Sequence, residues 1–350
     1  LISINNKIPF FKKKTIFVEG DKSISIRFIL LSSLSKGKCI GKNLLKSEDV
    51  ISAIKSIKKL GIKIKLNNKI CEVYGKGLRG YNYKKNIILN AGNSGTTARL
   101  ICASVIDAKH HIRVTGDKSL KKRDMGRIIG PLSKFGAKFV CDNKKLPLKI
   151  IGPKELKPIF YDEKLGSAQC KSAVMIAAIK TKGKTRIKCK PSRNHTELMF
   201  KKVLRIPIKV QKFKKFELIE IDGFNEFRSF NYKIPGDISS ASFFIVLTLL
   251  SKNAFLTIKE VNINPSRTGI ITILNKMGAQ IKFLNKRNYK GEVVADIFVK
   301  SKKKLRSINL NPNLNSSAID EFLLIFLVAS KCEGMSKFIN LSELNQKESK

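Results

Sequence analysis

Tryptophan is absent from the 350 residues, and there are only three histidines. His110 and His111 are adjacent and His195 stands alone, so no metal-ligand spacing is present and no structural metal is expected. The seven cysteines, Cys39, Cys71, Cys102, Cys141, Cys170, Cys189 and Cys332, form no C-x-x-C pair. An odd, scattered set reads as free thiols in a reducing, cytoplasmic compartment. No apolar run approaches the roughly 20 residues that span a bilayer, so no membrane association is expected. The chain opens on Leu1 rather than Met, which points to an unusual start or a shortened chain. The opening stretch "LISINNKIPFFKKKTIFVEG" has no apolar segment followed by a small-residue cleavage site, and no signal peptide is expected.

Acidic residues are also scarce: 26 against 70 Lys and Arg, a net charge of +44. Such a balance suits nucleic acid or other polyanions. Here the excess is mostly lysine and is spread over the whole chain. With abundant isoleucine and asparagine, it matches the composition an AT-rich genome imposes. Clusters such as "FFKKK" and "SKKKL" then read as solvated faces, and no nucleic-acid partner is expected. Hydrophobic residues make up 43%, and the length suffices for two domains with real cores.

What is present is self-similarity. "EGDKSISIRFILLSSLSKGK" from Glu19 lies over "PGDISSASFFIVLTLLSKNA" from Pro235, and "SEDVISAIKSIKKLGIKIK" over "SRTGIITILNKMGAQIKF". Taking Asp21, Asn93, Gly166, Asp237 and Ser316 as equivalent starts gives steps of 72, 73, 71 and 79 residues. That period is too long for common solenoids and suits one compact supersecondary unit per repeat. In the first copy Ile24, Phe28 and Leu31 have helical spacing. "KCIGKN" is extended, "SEDVISAIKSIKKLG" is a helix capped by Ser47 and stopped by Gly61, and "IKIKL" alternates as a strand. The repeat predicts an α/β protein with helices against sheets. "VEGDKS" and "IPGDIS" mark two crossovers, predicting a three-repeat domain over 21–235 and a second domain from 1–20 plus 236–350. The second domain holds about one and a half repeats, roughly 70 residues short of three.

"GKGLRG" at Gly75 matches G-x-G-x-x-G, but a turn and strand, "YNYKKNIILN", follow it instead of a helix, so it reads as a hairpin. The helix entrances "GDKSIS", "GNSGTT", "GSAQCKS" and "GDISS" carry more. Unpaired N–H groups at a helix start favour an anion, although each entrance alone is also an ordinary N-cap. Lys22, Arg27, Arg99, Arg123 and Arg193 lie in or beside them and supply cations for a phosphate or carboxylate. Asp320, at the start of an apolar helix, and Glu348, near the chain end, read either as helix-dipole and tail charges or as proton-transfer groups.

In order along nearly the whole chain, "EGDKSISIR", "LNAGNSGTTARL", "GDKSLKKRDMGR", "GSAQCKSA", "PSRNHTE", "IPGDISSASFF", "NPSRTG", "AIDEF" and "QKES" resemble the 5-enolpyruvylshikimate-3-phosphate synthase family. The resemblance implies two similar domains of repeated βαβαββ-type units around pseudo-threefold axes, the enolpyruvyl transferase fold, here with the second domain incomplete. It implies transfer of the enolpyruvyl group from phosphoenolpyruvate to the 5-hydroxyl of shikimate 3-phosphate, with release of phosphate, by a monomer without a cofactor. Residue by residue it implies that Lys22 contacts both substrates. Ser23, Arg27, Ser167, Gln169, Ser192, Arg193, Asp320 and Lys347 would hold shikimate 3-phosphate. Asn93, Gly95, Arg123 and Gln169, with Lys22, would hold phosphoenolpyruvate. Asp320, Glu348 and Lys22 would act in catalysis, and Asn93 would open the helix behind the cradle.

Departures from the family pattern are specific. Ile26 stands where the family usually has His, and "KESK" where it usually has "KESDR". The same fold serves UDP-N-acetylglucosamine enolpyruvyl transferase, whose mobile loop carries a catalytic cysteine. "TGDKSLKKRD" has none. A non-catalytic remnant that binds polyanions through its basic surface is the alternative of a different class.

Overall fold

The computed structural model describes residues 13–302 and 304–346. Two compact units emerge. One is Gly20–Ile234, and the other joins the chain up to Glu19 with the chain from Pro235 on. Strand β1 (Lys14–Phe17) comes first, followed by helix α1 (Lys22–Leu34), β2 (Lys36–Lys42), α2 (Glu48–Lys59), β3 (Lys63–Asn67) and β4 (Ile70–Lys76). The second repeat runs β5 (Ile88–Asn90), α3 (Gly95–Ser104), β6 (Ile112–Thr115), a short α4 (Lys118–Lys121), α5 (Gly126–Lys134), β7 (Lys138–Val140) and β8 (Leu148–Ile151). The third runs β9 (Phe160–Glu163), α6 (Ala168–Ile179), β10 (Gly183–Cys189), α7 (His195–Met199), β11 (Ile208–Lys212) and β12 (Glu217–Gly223). Then follow β13 (Asn231–Lys233), α8 (Ile238–Leu250), β14 (Phe255–Asn262), α9 (Gly269–Lys276), β15 (Gln280–Tyr289) and β16 (Glu292–Lys300). Two short helices, α10 (Asn315–Ala318) and α11 (Phe322–Ala329), come last before a 3-10 turn.

The four sheets share one topology. In each, a parallel pair is extended by two antiparallel strands, in the orders β13-β2-β4-β3, β5-β6-β8-β7, β9-β10-β12-β11 and β1-β14-β16-β15. The parallel pair needs a helical crossover and the antiparallel pair only a hairpin, and this is the βαβαββ unit. The lead strands of the first and fourth copies, β13 and β1, come from distant sequence. The crossovers at Gly20 and Gly236 arise because each of these strands pairs in the unit that its following helix does not join.

The first copy pairs one enclosed helix with one two-faced helix. Eleven α1 residues are buried, Ser25, Ser32 and Ser33 among them, so its apolar residues go all round instead of forming a stripe. On α2, Val50, Ala53, Ile54 and Ile57 are buried while Lys58 and Lys59 sit in the last turn. Gly61, at φ +83°, ends α2 as expected for a left-handed stop. Ser47 occupies the cap position of α2 but makes no capping hydrogen bond. The strand read into 81–90 shrinks to β5, and the helix read from Ser316 breaks at 319–321.

Candidate active site

The residues gathered at the helix starts of unit Gly20–Ile234 form one connected set. Asp21 caps α1 by accepting from the Ile24 N–H at 2.9 Å, leaving Lys22 and Ser23 in the first turn. Lys22 Nζ lies 3.9 Å from the Asp49 carboxylate, and the Asp49 carbonyl accepts the Thr97 hydroxyl at 3.2 Å. Asp49 therefore ties the start of α1 to the start of α3, a role that spacing alone did not reveal.

At α3 the cap is Ser94, whose hydroxyl accepts the Thr97 N–H at 3.1 Å. Asn93 does not open the helix. Its amide donates to Asp117 at 2.7 Å instead, because Asp117 caps α4 nearby. That bond fixes the α3 start to the segment carrying Arg123. Gly95 is the first residue of α3, and a Cβ there would stand 3.2 Å from Nη1 of both Arg123 and Arg99. Two guanidinium groups thus converge on a helix start stripped of side chain, an anion cradle by geometry and by dipole. Arg99 also donates to Gln169 Oε1 and to the Asp124 carbonyl. Its Nε is buried without a hydrogen-bond partner among the described residues. Burial, then the nearby Arg123 and Arg127, depress its pKa from the ordinary value. Crowded cations of this kind are stabilised when an anion arrives. Gln169 is engaged at both ends, since its amide nitrogen donates to Thr96 at 2.9 Å.

Arg27 is buried and reads neutral partners: Nε donates to Thr196 Oγ1 and Nη2 to Ser172 Oγ, each at 2.8 Å, and Nη1 to the Ser23 carbonyl at 3.0 Å. Ser167 caps α6 through the Cys170 N–H. The Ser192 hydroxyl is buried with no hydrogen-bond partner among the described residues, so it is open to a ligand. Arg193 follows it in the segment leading to α7, half-buried.

The other unit holds Asp320, exposed in the turn between α10 and α11. It does not begin a helix as the sequence suggests. Its neighbour Glu321 takes the cap position of α11, is buried, and accepts from Ser239. Arg267 donates to Ser239 at 2.7 Å and lies 3.8 Å from Glu321 and 3.6 Å from Asp237. This buried charged knot explains the break at 319–321, and sequence reasoning missed it. Lys347 and Glu348 lie outside the described residues.

Comparison with known proteins bears on the family and the fold. A family profile described as EPSP synthase (3-phosphoshikimate 1-carboxyvinyltransferase) matches residues 12–350. A 3-phosphoshikimate 1-carboxyvinyltransferase of Ruthia magnifica subsp. Calyptogena magnifica is 42% identical over 333 residues, covering 95% of this chain and 75% of the relative. One from Thermoanaerobacter sp. (strain X514) is 41% identical over 99% of this chain and 81% of its own length. The solved EPSP synthase of Acinetobacter baumannii superposes with a TM-score of 0.84 at 34% identity, over 96% of this chain and 75% of that one. The enolpyruvyl transferase NikO from Streptomyces tendae shares the fold at a TM-score of 0.70 and 13% identity, over 92% of this chain and 74% of its own. The two units are thus those of the enolpyruvyl transferase fold, and the chain belongs to the EPSP synthase (3-phosphoshikimate 1-carboxyvinyltransferase) family.

Proposed function

We propose that this chain transfers the enolpyruvyl group of phosphoenolpyruvate to the 5-hydroxyl of shikimate 3-phosphate, in the pathway to chorismate and the aromatic amino acids. The observation that carries the reading is the convergence of Arg99 and Arg123 on Gly95 at the start of α3, in a chain of this family. Arg123 and Lys22, with Asn93 and the Gly95 backbone, hold phosphoenolpyruvate. Ser23, Arg27, Ser167, Ser192 and Arg193 hold shikimate 3-phosphate, and the buried Ser192 hydroxyl supports that assignment. Gln169 serves both by clamping Arg99 and Thr96.

In the reaction the 5-hydroxyl oxygen bonds to C2 of phosphoenolpyruvate while C3 takes a proton. The C2–O bond to phosphate then breaks, C3 gives up a proton, and inorganic phosphate leaves. Asp320 accepts the hydroxyl proton, and Glu348, matched by motif, moves the proton at C3. Guanidinium and ammonium groups stabilise the charge that gathers on the departing phosphate. The enzyme works as a cytoplasmic monomer on these two small anions, with no nucleic-acid partner. The scattered cysteines support a reducing compartment. Phosphate release should require both substrates, and mass spectrometry should find the enolpyruvyl ether. In Lys22→Ala, binding of both ligands should fall while the fold persists. A purified chain that neither binds shikimate 3-phosphate nor releases phosphate in its presence rejects the reading.

A further inference from the structure

Helix α6 presents Ser167 and Gln169 at its start and then, one turn in, Lys171 and Ser172. Lys171 is wholly buried, a placement lysine tolerates only with a partner. Its Nζ stands 2.6 Å from Glu197 Oε1 and 3.9 Å from Glu217 Oε2. Burial alone would lower its pKa, but Glu197, then Cys189 and Glu217, hold it above the ordinary lysine value. A neighbouring residue on each helix repeats the link, Thr196 Oγ1 donating to Ser172 Oγ at 2.8 Å. Two adjacent residues of α6 therefore grip two adjacent residues of α7, and Arg27 bonds to both hydroxyls of that seam.

The seam matters because α7 cannot place itself. Its α-helical part is five residues long before it runs on as a π-helical turn, Phe200–Leu204, and its cap position, Asn194, makes no side-chain capping hydrogen bond. A helix this short has no independent stability, so tertiary contacts set its position. Ser192 and Arg193 lie immediately before it. A displaced α7 would strand the Lys171 ammonium and the Glu197 carboxylate in the interior, and this penalty fixes the register.

We propose that Lys171 and Glu197 are positioning residues that set the Ser192–Arg193 segment against Arg27 and Ser167 and so shape the seat for the phosphate of shikimate 3-phosphate. The inference rests on the reading that this chain binds that substrate. Neither residue touches it; both act through the segment they anchor.

The test uses the full chain, calorimetry with shikimate 3-phosphate, the phosphorus NMR resonance of the bound ligand, and the melting temperature. Lys171→Met and Glu197→Gln each orphan a buried partner, so weakened binding there mixes stability with positioning. The double variant Lys171→Met with Glu197→Met removes both charges at similar volume and leaves Glu217 to Lys212, 4.0 Å away, so stability stays near wild type. It should still bind about tenfold or more weakly and shift the phosphorus resonance, because misplacement of about 1 Å already costs heavily. Glu197→Asp keeps the charge but shortens the reach, and should weaken binding by at least about threefold. It decides the matter if the double variant does not fold. Lys171→Arg, which keeps the charge, should recover part of the loss. A folded double variant, or Glu197→Asp, with unchanged affinity and resonance would show the pair to be structural only, leaving the functional reading intact. A wild-type chain that binds no shikimate 3-phosphate overturns both.

Discussion

At the scale of the residue, Gly95 decides how close an anion comes to α3. A methyl group there meets the tips of two flexible arginines at 3.2 Å, a crowding they can relieve by moving a few tenths of an ångström. Gly95→Ala should therefore fold, but with both cations displaced and the first N–H groups of α3 partly screened. Affinity for phosphoenolpyruvate, titrated in the presence of saturating shikimate 3-phosphate, should drop about tenfold. Affinity for shikimate 3-phosphate alone should change by less than about twofold, because Arg27, Ser167 and Ser192 stand outside α3. Equal losses for the two ligands would remove Gly95 from the phosphoenolpyruvate subsite. The same crowding test separates Gly95 from Gly166, where an added Cβ would lie 3.7 Å from Lys190 and the obstacle is backbone, at φ +74°.

At the scale of the element, α4 is a single turn that exists to deliver Arg123. Asp117 caps it, its carboxylate accepting the Leu120 N–H at 2.7 Å. That bond, and then the Asn93 amide, hold its pKa below the usual carboxylate value. A depressed carboxylate pKa contributes stability that is complete above the unfolded value, near 3.9, and is lost as pH falls through the folded value. Asp117→Ala should cost about 1 kcal/mol of stability at neutral pH, as a lost cap does. It should also loosen Arg123 and weaken phosphoenolpyruvate binding. Melting curves from pH 7 downward check this: the wild-type margin over the variant should hold to about pH 4 and shrink as pH falls further, through the folded value. A margin that persists there would mean packing, not the charged cap, holds the turn. The elements themselves were legible because each repeat begins with a Gly or Ser start and an apolar helix at a fixed period. The enclosed helices α1 and α6 were legible too from apolar residues on every face, although α8 and α11, equally apolar, leave Phe243, Phe244, Leu323 and Leu327 exposed. The pairings that hold the site were not. Lys171 with Glu197, Arg267 with Glu321 and Lys22 with Asp49 join segments well apart in the sequence, and nothing local marks one charge as the partner of another. Asn93 misled for a related reason: Asn and Ser both cap helices, and only the position of Asp117 decides which of the two adjacent residues does so.

At the scale of the whole molecule, 70 basic residues face 26 acidic ones, and this excess must attract any polyanion. A specific phosphate seat and a diffuse basic surface differ in how they respond to salt. A surface that engages six to ten phosphates of RNA releases that many counterions, so its affinity falls roughly 10³–10⁵-fold between about 50 and 200 mM salt. The proposed seat for shikimate 3-phosphate engages the phosphate and carboxylate of one small molecule with a few groups, among them a buried arginine fixed by neutral hydroxyls. Its ion pairing is short-ranged and partly desolvated, where screening by mobile ions is weak. Shikimate 3-phosphate affinity, followed by calorimetry, should therefore fall less than about tenfold over the same salt range. The affinity of a labelled RNA, followed by fluorescence polarisation, should collapse. Association of the small ligand should still slow with salt, because the net charge of +44 steers it from a distance. Arg27→Met should abolish the salt-resistant binding and leave the RNA curve unchanged, since one buried cation contributes nothing to a surface field shared by 70. Parallel decline of both affinities, with no selective effect of Arg27→Met, would mean the chain holds shikimate 3-phosphate as it holds any polyanion.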